Sequence, residues 1–326
     1  MEKIHTIVTH PRPHLDELVG IVLLRICGTT RYEGIEDAEI KFCSADTTPE
    51  GKSWKQLQKE GILLIGIGGG IFDEHPTLDK ERKEGECAAT LVAKHLNILD
   101  EPWLAKLLKY VTANDTKGGT SPFDLAAMIN RYNKQWFDKD PQKAIEWAVL
   151  QIEAYLTEQM EFFITTKDEF EQVATICNTS HNGKNIIMVY GISDNDQFGA
   201  YARSQFGAHA DVVVQKNSKG NVIITTKKTS GINLDNVVRN IRLLEMRKRN
   251  FICSNIWDVS LTADGKCEKA EEWFYQKQAG QLLNGSRSAS SIAPTKISFE
   301  KIVTTVKDSL SYIRHSNNSS SIKRAS

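Results

Sequence analysis

The stretch Ile4 to Glu17 (Ile-His-Thr-Ile-Val-Thr-His-Pro-Arg-Pro-His-Leu-Asp-Glu) constrains this chain more than any other. Its apolar-rich start, Ile4 to Val8, reads as a short buried strand. Behind it, two histidines, an aspartate and a glutamate fall within eight residues stiffened by two prolines. Leu18, Val19, Val22, Leu23 and Ile26 then recur at three- and four-residue spacing, which predicts a helix from Leu15 to Cys27 with Gly28 as its stop. Strand, donor-rich turn and helix form the start of a parallel α/β unit, whose ligand sites lie beyond the carboxyl ends of the strands.

The same grammar recurs. Ala38 to Phe42 is a second strand candidate, and Ile62 to Ile67 is an almost uninterrupted apolar run that suits a strand covered on both faces. That run enters Gly68-Gly69-Gly70-Ile71-Phe72-Asp73-Glu74-His75-Pro76, where glycines permit a sharp turn and three potential ligands follow. Helices are predicted over Glu86 to Leu96 and Pro102 to Ala113, the second ending in the polar turn Asn114-Asp115-Thr116-Lys117-Gly118-Gly119. From Pro141 to about Phe163 the apolar spacing gives a long amphipathic helix that reads as a connector leaving a first domain.

The second half changes rhythm. Ile186 to Tyr190, Ala210 to Gln215 and Val222 to Thr226 are strand-like, and Asn217-Ser218-Lys219-Gly220 is a hairpin turn signal between the last two. Helices are expected over Leu234 to Lys248, Glu268 to Leu283 and Phe299 to Tyr312. Residues Ser316 to Ser326 are too poor in apolar groups to fold. No internal repeat is present. The expected organisation is α/β: a parallel-sheet domain over 1–140, a helical connector over 141–180, a smaller α+β domain over 181–315 and a disordered tail over 316–326.

Lysine plus arginine and aspartate plus glutamate both number 41, so no global field draws the chain to a polyanion; an anion site must be local. The longest apolar runs fall far short of a membrane span, and the first residues lack a secretory pattern, so a cytoplasmic protein with no membrane partner is expected. Six scattered cysteines without a C-x-x-C pair fit reduced thiols of that compartment and carry no assigned role.

Three turns concentrate chemistry. His10, His14 and Asp16 can converge on one divalent cation, or instead serve as a core histidine and a first-turn helix acid. Asp73, Glu74 and His75 can supply a ligand, a supporting carboxylate and a substrate-facing group, or form an acidic surface turn. Asp115 is a helix-end residue that becomes a third ligand candidate because two loaded turns precede it.

The order of these motifs resembles the DHH phosphoesterase superfamily. T-H-x-x-x-H-x-D-E follows a strand, G-G-G-x-F-D-x-H-P follows a hydrophobic strand, and an N-D turn comes later. The likeness covers roughly residues 3 to 120 and is closest to the melanocyte-proliferating-gene-type metal-dependent hydrolases. It implies a parallel α/β domain holding two Mn²⁺ or Mg²⁺ ions, with a second domain closing a cleft over a phosphate ester. It further implies His10 and His14 on the first ion, Asp16 on the second, Glu74 where the family's first DHH histidine binds metal, and Asp115 as the later ligand. His75 would face the phosphate as a catalytic group together with Asp73. Two departures accompany it: the strand-end aspartate that bridges the ions falls at Gly66, and the triplet reads Asp-Glu-His.

In the second half, His209 is a candidate for reaching a substrate phosphate, and Asn284-Gly285-Ser286-Arg287 with Lys296 for an anion-binding loop. Arg247-Lys248-Arg249 either tracks a nucleic-acid backbone or complements a helix C-terminus. The resulting expectation is a Mn²⁺- or Mg²⁺-dependent phosphoesterase acting on a nucleotide or short oligonucleotide, with a homodimer among the assemblies left open. A non-catalytic nucleotide-binding protein on a degenerate DHH scaffold is the alternative.

Overall fold

The computed structural model describes residues 1–76, 85–119, 121–286, 289 and 291–311. The chain divides into two units, Met1–Phe163 and Ile164–Ser326.

The first unit contains β1 (Glu2–Lys3), β2 (Thr6–Thr9), α1 (Leu15–Cys27), β3 (Tyr32–Glu33), β4 (Glu39–Phe42), α2 (Trp54–Lys59), β5 (Ile62–Leu64), α3 (Ala88–His95), α4 (Pro102–Lys117), α5 (Leu125–Trp136) and α6 (Pro141–Met160). β2 is the central strand of a three-stranded parallel sheet ordered β4-β2-β5, with Thr6 opposite Glu39 on one side and Ile62 on the other. All four of its residues are buried, which explains the unbroken apolar and threonine character. α1 carries the chain back after β2 and is buried from Leu15 to Leu24. Its backbone approaches the sheet closely at Gly20, where a Cβ would sit 2.5 Å from Ile65 Cδ1 and 3.4 Å from Val92 Cγ2.

Two details of the sequence expectation change here. The apolar run after Gly61 is a strand only to Leu64, because Gly66 adopts φ +67° and its amide donates to the Phe72 carbonyl at 2.9 Å, turning the chain out of the sheet. The helix over 141–160 buries Ala144, Ile145, Ala148, Ile152 and Leu156 in the first unit's core. Its apolar stripe is thus a packing face, and the division between units falls at 163/164, within the π-helical turn Glu161–Thr165.

The second unit contains α7 (Thr166–Val173), β6 (Thr175–His181), β7 (Lys184–Ile192), α8 (Phe198–Arg203), β8 (Val212–Lys216), β9 (Val222–Thr226), α9 (Asp235–Lys248), β10 (Trp273–Gln276), β11 (Gln281–Asn284) and α10 (Phe299–Ser311). Its six-stranded sheet has the order β10-β11-β9-β8-β7-β6. β7 and β8 are parallel, with α8 between them in the chain, and every other neighbouring pair is antiparallel. Val237, Val238 and Ile241 of α9 and Ile302, Val306 and Leu310 of α10 share one core with Met188, Val212, Val214 and Ile224 of the strands.

The helix expected over Glu268 to Leu283 is instead the β10–β11 hairpin, in register Trp273 opposite Asn284. Trp273 and Tyr275 point inward while Phe274 and Gln276 face out, a period of two that outweighs the helix-forming lysine, glutamine and alanine of the turn. Behind it lies a buried polar node. The Glu245 carboxylate accepts from Trp273 Nε1 at 3.1 Å, the Lys296 amide at 3.1 Å and the Thr295 hydroxyl, and Arg249 bridges Glu245 (3.4 Å) and Glu272 (2.7 Å).

The fold is therefore mixed α/β, with parallel strands in the first unit and a larger mixed sheet in the second. Among the described residues no helix is long and apolar enough to cross a membrane. The expected tail 316–326 lies outside the described residues.

Candidate metal centre

The ends of β2 and β5 and the last turn of α4 carry the ligand-type residues of the first unit. After Thr9 the chain turns through His10-Pro11-Arg12-Pro13-His14 and enters α1 with His14 at the N-cap. Arg12 holds φ +57° between the prolines. The turn is pinned from α5 and the residues just after it: buried Asn133 donates through Nδ2 to the Pro13 carbonyl at 2.9 Å, and Arg12 pairs with Asp138 at 2.5 Å.

Asp16 and Glu17, in the first turn of α1, are 3% and 2% exposed. Asp16 accepts from the Ala88 amide at the start of α3, at 3.3 Å. Glu17 receives the His14 amide on Oε2 at 2.8 Å and His10 Nε2 on Oε1 at 3.0 Å. His10 Nδ1 lies 2.9 Å from the Pro11 carbonyl. Both partners of that ring are acceptors, so the arrangement suits an imidazolium, and the His10 pKa is raised: burial opposes this, and the Glu17 hydrogen bond and charge outweigh it.

From β5, the turn after Gly66 is organised by Asp73. Its Oδ2 accepts the Gly69 amide at 2.7 Å, and its Oδ1 accepts the His75 amide at 3.1 Å and His75 Nδ1 at 2.8 Å. Glu74 is 1% exposed, and its Oε2 is buried with no hydrogen-bond partner.

These turns meet. Donor atoms of Asp16, Glu17 and Glu74 lie within 4.8 Å of one another, and the same separation bounds the set His10, His14 and Glu17 and the set Asp73, Glu74 and His75. Asp115, in the last turn of α4, lines a cavity of ≈ 560 Å³ together with His14, Asp16 and Asn114. A carboxylate at a helix C-terminus opposes the helix dipole. Its charge also adds to the repulsion felt by Asp16 and Glu74.

The electrostatics follow from this crowding. Burial, then the charges of Glu17, Glu74 and Asp115, push Asp16 up to about 9. Burial also raises Glu74, whereas Glu17 is lowered because His10 overcomes the desolvation. Three buried carboxylates are costly unless opposite charge is brought to them. Oxygen and imidazole donors with an unpartnered buried carboxylate oxygen fit a hard divalent cation, which takes such ligands at 2.0–2.6 Å.

The sequence-derived residues His10, His14, Asp16, Glu74 and Asp115 thus lie in one neighbourhood, with Asp73 and His75 adjoining it. His209 and Lys296 belong to the second unit. His209 is exposed with φ +52°, and exposed Lys296 uses its amide to bind Glu245. Arg287 lies outside the described residues. Asn284 is fully buried and ties the Glu272 and Ala293 carbonyls and the Thr295 amide, so its side chain serves the fold. Arg249 is likewise engaged by Glu272 and Glu245, leaving Arg247 and Lys248 as the exposed part of that basic helix end.

Sequence reasoning missed Glu17 and Asn133. Glu17 directly follows Asp16 in an α1 that is apolar on all sides, and an acid in such a helix is itself the signal. Asn133 sits in α5, whose N-cap Asp124, accepting the Ala127 amide at 2.8 Å, was the available cue.

No family model and no curated protein matches this chain. Among solved structures, an uncharacterized protein from Helicobacter pylori G27 aligns over 69% of this chain and 86% of its own length, at 13% identity and a TM-score of 0.25, a likeness that carries no argument about function.

Proposed function

We propose that this protein is a divalent-metal-dependent phosphoesterase of DHH-like design, acting in the cytosol on a nucleotide or a nucleic-acid end. The observation that carries the reading is the buried carboxylate cluster, in which the Glu74 Oε2 has no partner of its own. In this reading His10, His14, Asp16, Glu74 and Asp115 hold Mn²⁺ or Mg²⁺. Such a cation supplies Lewis acidity toward a phosphate ester and toward water.

The chain's own groups do the rest. Asp73, fixed by the Gly69 amide, grips His75 Nδ1 and so sets the ring's orientation, which leaves Nε2 to meet a phosphate oxygen. The His75 side chain is 56% exposed, as a substrate-facing group must be. The rigid histidine turn, held by Asn133, keeps the donors in place without reorganisation on binding.

A second reading has one observation in its favour. Position 66 carries no carboxylate, so a cation-dependent nucleotide-binding protein without turnover fits the same cluster. Hydrolysis of short oligonucleotides and nucleotides by metal-depleted protein, with and without added Mn²⁺ or Mg²⁺, separates the two. We expect turnover only with the metal, and its loss in His75→Ala with the fold retained by circular dichroism. Tight nucleotide binding with no turnover under any divalent ion would establish the second reading instead.

A further inference from the structure

We propose that Glu17, carried on α1, is itself a cation ligand and stands in the space from which a carboxylate at position 66 would act. The proposal rests on the metal-binding reading above and adds to it the residue that compensates for Gly66.

The steric relation is direct. A Cβ built on Gly66 would lie 2.7 Å from Glu17 Cγ, 2.9 Å from Glu17 Oε1 and 3.3 Å from Glu17 Cδ. The Glu17 carboxylate therefore fills the volume that any side chain at position 66 would enter first. The same carboxylate has donor atoms within 4.8 Å of both Asp16 and Glu74, and it belongs to the His10 and His14 set as well. It joins the two groups of ligand candidates.

Helix capping alone does not account for it. A glutamate at the third helical position caps an exposed helix end adequately from the surface. Here the carboxylate is 2% exposed and has a donor atom within 4.8 Å of one of Glu74, a buried side chain whose Oε2 lacks a partner. Its oxygens accept the His14 amide and His10 Nε2, and a side-chain hydrogen bond joins it to Asp16, whose proton a bound cation would replace.

The test is a charge transplant in the full chain, depleted of metal and titrated with Mn²⁺ by calorimetry. Glu17→Gln, which keeps an oxygen for the His14 amide, should weaken Mn²⁺ at least ~10-fold. Gly66→Asp alone should also lose affinity, because its Cβ collides with Glu17. Glu17→Ala combined with Gly66→Asp frees that volume, and aspartate is among the residues that tolerate positive φ. This double variant should recover most of the affinity that Glu17→Ala loses, which a capping role would not produce.

Wild-type affinity in Glu17→Gln, or no recovery in the double variant, overturns the proposal while leaving the metal reading intact. No Mn²⁺ binding by the wild type overturns both. Should the Glu17 variants fail to fold, the anomalous peak in Mn²⁺-soaked wild-type crystals decides: coordination by a Glu17 oxygen supports the assignment, and a peak more than ~3 Å from both oxygens refutes it.

Discussion

Replacing Asp16 by asparagine should make the metal-free protein more stable, by an amount that grows with pH. Asp16 is 3% exposed and pushed from 3.8 up to about 9 by burial and by Glu17, Glu74 and Asp115. An unfolded chain releases this proton near pH 4, whereas the folded one keeps it to about 9. The folded state thus binds the extra proton throughout that window, and its stability falls as pH rises. The contribution is fully present below the unfolded value and is lost as pH climbs toward the folded one. The slope is about 1.4 kcal/mol per pH unit, so between pH 5 and 8 the wild type should lose ~4 kcal/mol that Asp16→Asn does not. Urea unfolding in EDTA, followed by tryptophan fluorescence at several pH values, measures the difference between the two proteins. Saturating Mn²⁺, which competes for the same carboxylate, should flatten the wild-type slope more than that of the asparagine variant. Parallel wild-type and variant curves in EDTA from pH 5 to 8 would refute this electrostatic account.

Two further outcomes are expected. Asn133→Ala should cost ~1–3 kcal/mol by stranding the buried Pro13 carbonyl, and should weaken Mn²⁺ binding although residue 133 is not a ligand; unchanged calorimetry would show that the turn holds its shape without α5. Glu245→Ala should cost ~3–5 kcal/mol by leaving the Trp273, Thr295 and Lys296 donors unmatched. Those donors and others lower the Glu245 pKa against burial, so its contribution exists above about pH 4.5 and disappears as pH falls through the folded value; acid unfolding midpoints of wild type and variant should converge at the acid end.

The first unit was legible where pattern and chemistry coincide. β2, α1 and the donor turn between them follow from period and proline placement alone, because one strand and one helix are buried on every side. The end of β5 was not legible, since an apolar run continues through Ile65 and Ile67 and only the positive φ of Gly66 reveals the turn. β6 was overlooked although Asn182-Gly183, both at positive φ, forms the two-residue turn that joins it to β7. The β10–β11 hairpin was misread because residues with good helix propensity surround Trp273 and Tyr275, whose burial decides the period. The structure brings His10, His14, Asp16, Glu74 and Asp115 into one neighbourhood. Glu17 carried a sequence signal as an acid in an apolar helix, but its relation to Gly66, 49 positions later in the chain, needed three dimensions.

That glycine also limits how this site can change over generations. A carboxylate at position 66 and the glutamate at position 17 compete for one volume, so neither can be added while the other remains. Any lineage crossing between the two arrangements must pass through a chain that has neither, or through one in which they collide. Under the ligand role proposed for Glu17, the two positions are expected to be epistatic, each substitution costing affinity alone and tolerated in the other's company. Selection on single changes would therefore hold glycine and glutamate together as one inherited unit.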